Sequence, residues 1–484
     1  MRLHRPLSDH VRGFRDLHGT NLALWVGLGF FALYIASVCM GAKQMMAVLA
    51  LTVLVCLATV SLRMTVLSCT VWLLIAGTSP EMWLGDLVPG TSNTITAIVK
   101  VVGLGLVGIC ILRYGLVFDL LNPGIAFALM FVIGLAHGLW PGLTTDDSLR
   151  TLIGSAAPFA FSFSRLSRRW CASIIQATMW IPTLIIVFGC LLAAAHLRPL
   201  LAADEGGSVR LAGSTHPAFL AVYAMTGAYA ALVELYRTGR TRYLMIFGLN
   251  ALILLATGSR SPLACEVMTA GVAFVALRSR SFTLRKRVLP MLLGLFALPV
   301  LLALSATTDS LRLLTMLSGH ATNLSGRDVI WPFFEAAWDQ SPWFGWGVGT
   351  GKEVVDPNSM TAKLLGTTAA HNEYLRIGVE GGYVGLGLLA GFMALWCWWW
   401  SRRLASTDKV IMRLVMLGVA IECITDNMLI AAPASILFTW MSAVFARGGF
   451  EQQPVTGAAA PDRVLSGQLS RRLPALAVPR LSRS

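Results

Sequence analysis

The chain has 484 residues, 56% of them hydrophobic and 13% charged, and carries a formal net charge of +14. Its apolar residues fall in many runs of about 18 to 25, the length that crosses a bilayer as a helix, which excludes a water-soluble globular enzyme. The excess of Lys and Arg sits in short clusters between these runs, a placement that suits membrane orientation rather than nucleic acid.

The opening stretch "MRLHRPLSDHVRGFRDLHG" lacks an apolar core, so no cleavable signal is expected and residues 1–21 are placed inside. Spans are expected near 22–40, 44–62, 65–80, 94–112, 119–140, 151–164 and 170–196. Seven more are expected near 216–236, 243–258, 262–277, 288–306, 374–400, 410–428 and 432–446. The fold class is therefore an all-α polytopic integral membrane protein with about 12 to 14 transmembrane helices. Helices with short loops fill 22–306, a long outer loop occupies 307–373, further helices fill 374–447, and a basic, Pro- and Ala-rich tail runs from 448 to 484. Alternating sides put "RLSRR", "RTGRTR", "RSRSFTLRKR" and "SRRLASTDK" inside, the positive-inside pattern. The run "WCWWW" at 396–400 reads as an inner aromatic belt. The nine cysteines show no paired spacing and read as small core residues.

Three outer segments stand out. They are the stretch "LRPLLAADEGGSVRLAGSTHP" from 197, the tight turn "TGSRSP" at 257–262, and the loop 307–373. At roughly 65 residues that loop far exceeds the usual connection of about 4 to 6. It holds "SGRDVIWPFFEAAWDQSPWFGWGVGTG", in which "IWPFFEAAW" has helical spacing with Pro332 suited to a first turn. "FGWGVGTG" offers a turn where backbone can approach a ligand, without the strand and helix of a dinucleotide fingerprint.

Basic residues are scarce outside, so Arg210, Arg260 and Arg327 each call for a local reason: an anion, or pairing with Asp204, Glu266 or Asp328. His371 stands where the next helix should begin, as a proton acceptor for an attacking hydroxyl or as a simple backbone hydrogen-bonder. Asn372, Glu373 and Tyr374 are supporting residues that orient His371 or bind sugar hydroxyls, with Glu373 equally suited to a helix's first turn. Gly381 and Gly385 form a GxxxG suited to close helix packing. Glu266, Glu422 and Asp426 are costly acids in the outer halves of their spans. No HExxH and no Ser, Asp and His set is present, and "TTDD" at 144–147 is a weak metal motif, so neither metal nor cofactor is expected.

The segment "AAHNEYLRIGVEGGYVG", preceded by the aromatic stretch above, resembles the signature region of the bacterial O-antigen ligase and polymerase superfamily. In that pattern a His and a small polar residue are followed by eight positions and GxxxG. Here His371, Asn372, residues 373–380 and Gly381 to Gly385 fit, with Asn372 in place of the commoner Ser or Thr. "VRLAGSTHPAFLAVY" and "TGSRSPL" resemble its two arginine segments, matched by Arg210 and Arg260. The resemblance covers roughly residues 200–390. It implies a C-type membrane glycosyltransferase in a bacterial inner membrane, its site facing the periplasm. The donor would be an undecaprenyl pyrophosphate-linked glycan, and the acceptor a hydroxyl on a second lipid-linked glycan or on lipid A core. Arg210, Arg260 and Arg327 would hold the pyrophosphate, His371 would act as base, and the anomeric carbon would invert without a metal. Trp331, Trp343 and Trp346 are sugar-stacking or loop-packing residues. No nucleic acid partner is expected, and membrane lipids are. Polymerase and ligase are not separated, and oligomeric state is not read. The alternative class is a lipid-linked glycan transporter or flippase.

Overall fold

Small residues along "AVYAMTGAYAALVELY" let neighbouring helices approach closely, and this stretch forms the pillar of the molecule, buried on every side from Leu220 to Tyr236. The computed structural model describes residues 63–88, 90–203, 209–278, 282–283, 288, 327–365 and 367–451. The spans expected at 22–40, 44–62 and 288–306, the start of the long loop and the tail from 452 lie outside the described residues. Fourteen α-helices are present among the described residues. In chain order they are α1 (Thr65–Gly77), α2 (Pro80–Leu87), α3 (Ser92–Tyr114), α4 (Pro123–His137), α5 (Thr145–Ala156), α6 (Arg168–Ala194) and α7 (Pro217–Thr238), the pillar. They continue as α8 (Thr241–Thr257), α9 (Arg260–Ala276), α10 (Arg327–Gln340), α11 (Met360–Leu365), α12 (Glu373–Ser401), α13 (Ser406–Glu422) and α14 (Ala432–Glu451). Two short strands, β1 (Leu201–Ala203) and β2 (Val209–Leu211), pair antiparallel before α7. Four helices, α3, α6, α7 and α12, are long and apolar enough to cross a membrane, and α1, α4 and α8 are shorter apolar helices. The chain is thus an all-α polytopic membrane protein.

Several boundaries differ from the sequence expectation. The span expected at 151–164 is α5 followed by a 3₁₀ turn, Ala157–Phe163, where Pro158 cannot continue the α-helical ladder. The span expected at 410–428 ends at Glu422, and residues 423–431 form an irregular turn. Pro332 lies inside α10, not in its first turn, because the helix already starts at Arg327.

Helix α12 is broken at Gly382, whose φ of 61° and ψ of −160° only glycine adopts readily. The freed backbone is taken up by the turn after α10. Tyr383 N–H donates to Pro342 O and Val384 N–H to Trp343 O, while Trp346 and Gly347 N–H groups donate to Val379 and Glu380 carbonyls. A Cβ on Gly382 would stand 2.3 Å from the Trp343 carbonyl carbon, and one on Gly345 would stand 2.5 Å from Gly381 N. The glycines of "FGWGVGTG" therefore serve close contact with α12, α4 and α5 rather than an open ligand turn. On the neighbouring face Gly381 and Gly385 pack on Met130 of α4, the close packing expected of the GxxxG.

At the far end of α12 the aromatic run is anchored by one acid. Trp396 Nε1 and Trp400 Nε1 donate to the two carboxylate oxygens of Asp119 at 2.9 and 3.1 Å, and the Arg403 guanidinium lies over the Trp400 ring. Trp398 and Trp399 remain exposed, as a membrane belt requires.

Candidate functional site

The ends of α7, α8, α9, α12 and α13 that lie opposite the Trp396–Trp400 belt converge, and most of the singled-out side chains meet there. His371 directly precedes the helix start and has φ of +47°, a left-handed conformation costly for a non-glycine residue. Its Nδ1 lies 3.2 Å from Asp426 Oδ1, and its Nε2 lies 3.5 Å from Thr367 Oγ1. The imidazole is 39% exposed and Asp426 18%, so the pair sits half-open at the base of the cluster. Because Asp426 accepts at Nδ1, a neutral ring holds its proton there and leaves Nε2 as the acceptor nitrogen, with the Thr367 hydroxyl beside it. Burial pushes the Asp426 carboxyl up, but His371, the Asn427 N–H and Arg327 outweigh it and hold the group below the usual carboxylate range.

Asp426 owes its place to the residues after His371. Asn372 caps α12, its Oδ1 accepting the N–H groups of Tyr374 and Leu375. Glu373 is buried: its N–H donates to Cys423 O, its Oε1 accepts Leu429 N–H at 2.7 Å, and its Oε2 accepts Arg376 Nε at 2.5 Å. Arg376 also donates to Glu380 Oε2 at 2.8 Å, completing a buried acid-base-acid triad. Tyr374 Oη donates to Ala420 O at 2.8 Å. These three residues therefore secure the helix start and the 423–431 turn, and through that turn Asp426. Lys100 Nζ adds a bond to Ile430 O at 3.3 Å. On the other flank Trp331 Nε1 donates to Ala370 O at 2.9 Å, fixing the residue before His371.

The arginines divide by role. Arg210, on β2, donates from Nε to Thr257 O and from Nη2 to Ser259 Oγ, both at 2.8 Å. It thus clamps the turn between α8 and α9 that presents Arg260, the exposed first residue of α9. Next to it Ser261 Oγ donates to Glu422 Oε2 at 2.5 Å, tying this turn to the end of α13. Burial lowers the Arg210 guanidinium from its ordinary value, and it remains a cation. Arg327, at the start of α10, stands within electrostatic reach of both Asp426 and Glu422. Of the alternative partners of these arginines, Asp204 and the side chain of Asp328 lie outside the described residues, and Glu266 is buried within α9.

Of the tryptophans, Trp346 Nε1 bonds Ala337 O and its ring meets Trp140 edge-on at 5.4 Å, so Trp331 and Trp346 pack the loop. Trp343 is 64% exposed against Tyr383 and is free to meet a large ligand or lipid. From sequence Asp426 reads as a costly intramembrane acid able to neutralise the arginines, and neither Arg376 nor His216 stands out. The signal for Asp426 was the polar run "TDN" interrupting an apolar stretch.

The arrangement sets an imidazole hydrogen-bonded to a carboxylate near arginines from three segments, a combination chemically able to accept a proton and to hold an anion. Residues 245–390 match the family described as O-antigen ligase, a region that takes in Arg260, Arg327 and His371 and leaves Arg210 and Asp426 outside. No curated protein matches the chain. That match, over about a third of the chain, together with the membrane helices around it, supports a place in the O-antigen ligase and polymerase superfamily.

Proposed function

We propose that this protein transfers a glycan from undecaprenyl pyrophosphate to a hydroxyl acceptor at the periplasmic face of a bacterial inner membrane. The observation that carries the reading is the His371 and Asp426 pair set beside Arg327 and the Arg210-clamped turn that presents Arg260. The acceptor oxygen attacks the anomeric carbon while its proton passes to His371 Nε2. The bond from that carbon to the phosphate oxygen breaks, and the electron pair leaves with the lipid pyrophosphate. Asp426 steadies the imidazolium, and the arginines stabilise the charge growing on the leaving group. A single displacement inverts the anomeric carbon, and the cations of the site supply the charge stabilisation without a metal. Both a second lipid-linked glycan, as in a polymerase, and lipid A core, as in a ligase, present such a hydroxyl.

The test is reconstitution of the purified protein in liposomes with a labelled, undecaprenyl pyrophosphate-linked oligosaccharide, with lipid A core added in a parallel sample. Glycan chains that lengthen, or label that moves to core, support transfer. Movement of the intact donor between leaflets with no new glycosidic bond would instead assign a flippase.

A further inference from the structure

The cluster contains a second imidazole that the scheme above leaves unused. His216 precedes Pro217 and caps the central helix α7, its Nδ1 accepting the Ala218 N–H at 3.3 Å. A neutral imidazole that accepts at Nδ1 carries its proton on Nε2, so this ring presents a single donor, pointing away from the helix. The ring is solvent-accessible, although much protein surrounds it, and Arg210, Asp426, His371 and Arg198 all lie within its electrostatic reach. Arg198 Nη2 donates to the carbonyl oxygen of Thr215, the residue before His216, at 3.2 Å, and Arg210 stands six positions earlier on the same connection, so His216 lies at the helix end beside the two arginines. Burial first, and then Arg210, push the imidazole down to about 4, so it is neutral at physiological pH. Ser, Thr, Asp and Asn cap helices better than His does, and none of them reaches as far beyond the helix end. A neutral N–H beside arginines adds a directed bond to an anion without adding repulsion among the cations.

We propose that His216 Nε2–H donates a hydrogen bond to an anionic oxygen of the polyprenyl pyrophosphate, alongside the Arg210-clamped turn, making His216 a donor-binding residue. This rests on the reading that the donor is pyrophosphate-linked.

The experiment measures binding of undecaprenyl pyrophosphate to the full chain in detergent micelles for wild type, His216→Asn and His216→Gln. Asn keeps the cap through its Oδ1 but stops short of the Nε2 position, whereas the Gln amide reaches it. His216→Asn should keep the wild-type Tm and bind about ten- to a hundredfold more weakly, the range for a hydrogen bond to a charged group. His216→Gln should bind more tightly than His216→Asn. Wild-type affinity in His216→Asn would overturn the proposal and leave His216 a cap alone. A wild-type protein that binds no undecaprenyl pyrophosphate would overturn the donor assignment itself, and this proposal with it.

Discussion

Asp426 accepts a hydrogen bond from His371 across 55 positions of sequence, joining the start of α12 to the turn between α13 and α14. The bond sets which imidazole nitrogen is free to take a proton. Asp426→Asn should therefore lower the transfer rate by about 10²- to 10⁴-fold while leaving the donor KM within a fewfold of wild type. Steady-state kinetics on the reconstituted protein check this, and an unchanged rate would reduce Asp426 to a structural role.

The same pair predicts a pH effect on stability. Asp426 is held below its unfolded value, so its contribution is present at pH above about 3.9 and is lost as pH falls through the lower native value. Thermal melts of wild type and Asp426→Asn should accordingly differ at neutral pH and draw together under acid. A gap that persists unchanged into acid would mean that the carboxylate charge contributes nothing.

The buried triad of Glu373, Arg376 and Glu380 supports the Asp426 turn, because Glu373 also holds Leu429 N–H. All three side chains are at most 4% exposed. Arg376→Met leaves two carboxylates without their cation and should cost about 3–5 kcal/mol. Glu373→Gln keeps an acceptor for Leu429 and should cost less. Denaturation in detergent that ranks the two the other way would show that the turn does not depend on Arg376.

Backbone geometry gives a contrast within one motif. Gly382→Ala places a Cβ against the Trp343 carbonyl carbon at 2.3 Å, in a backbone conformation that only glycine adopts readily, and should block accumulation of folded protein. Gly385→Ala meets only side-chain atoms of Met130, the nearest at 3.3 Å, and should fold with a modest drop in Tm. Membrane yield and size-exclusion profiles of the two variants check this directly.

Arg210→Lys loses the two-armed hold on Thr257 and Ser259, and Lys cannot restore it. The variant should lose about 1–3 kcal/mol of stability and bind donor more weakly, because the turn that presents Arg260 loosens. Unchanged Tm and KM would place Arg210 outside the site.

Much of this was legible in the sequence, for reasons that differ by element. Apolar runs of membrane length gave the all-α architecture because lipid leaves a backbone few alternatives. The turn at 257–260 and the helix start at Glu373 carried Gly, Ser and Asn signals and lie close to where those signals put them. The pairing of His371 with Asp426 was not legible, since it joins positions 55 apart and depends on α13 stopping at Glu422, which the polar run "TDN" marks only as a break in an apolar stretch. The break at Gly382 was hidden in the same way. "EGGYVG" reads as helix packing until the chain from Pro342 to Gly347 supplies partners for the broken ladder. Arg210 reads from sequence as an anion ligand or an ion-pair partner, and its observed bonds reach Thr257 O and Ser259 Oγ of another turn, a contact that no local pattern encodes.

The most direct measurement is the single-turnover rate of glycan transfer from a labelled undecaprenyl pyrophosphate-linked oligosaccharide, comparing wild type with His371→Ala in liposomes at equal folded protein. With His371 as the base, the rate in the variant falls at least about 10²-fold while donor binding is largely retained. Transfer at the wild-type rate by His371→Ala would contradict the assignment of His371 as the base.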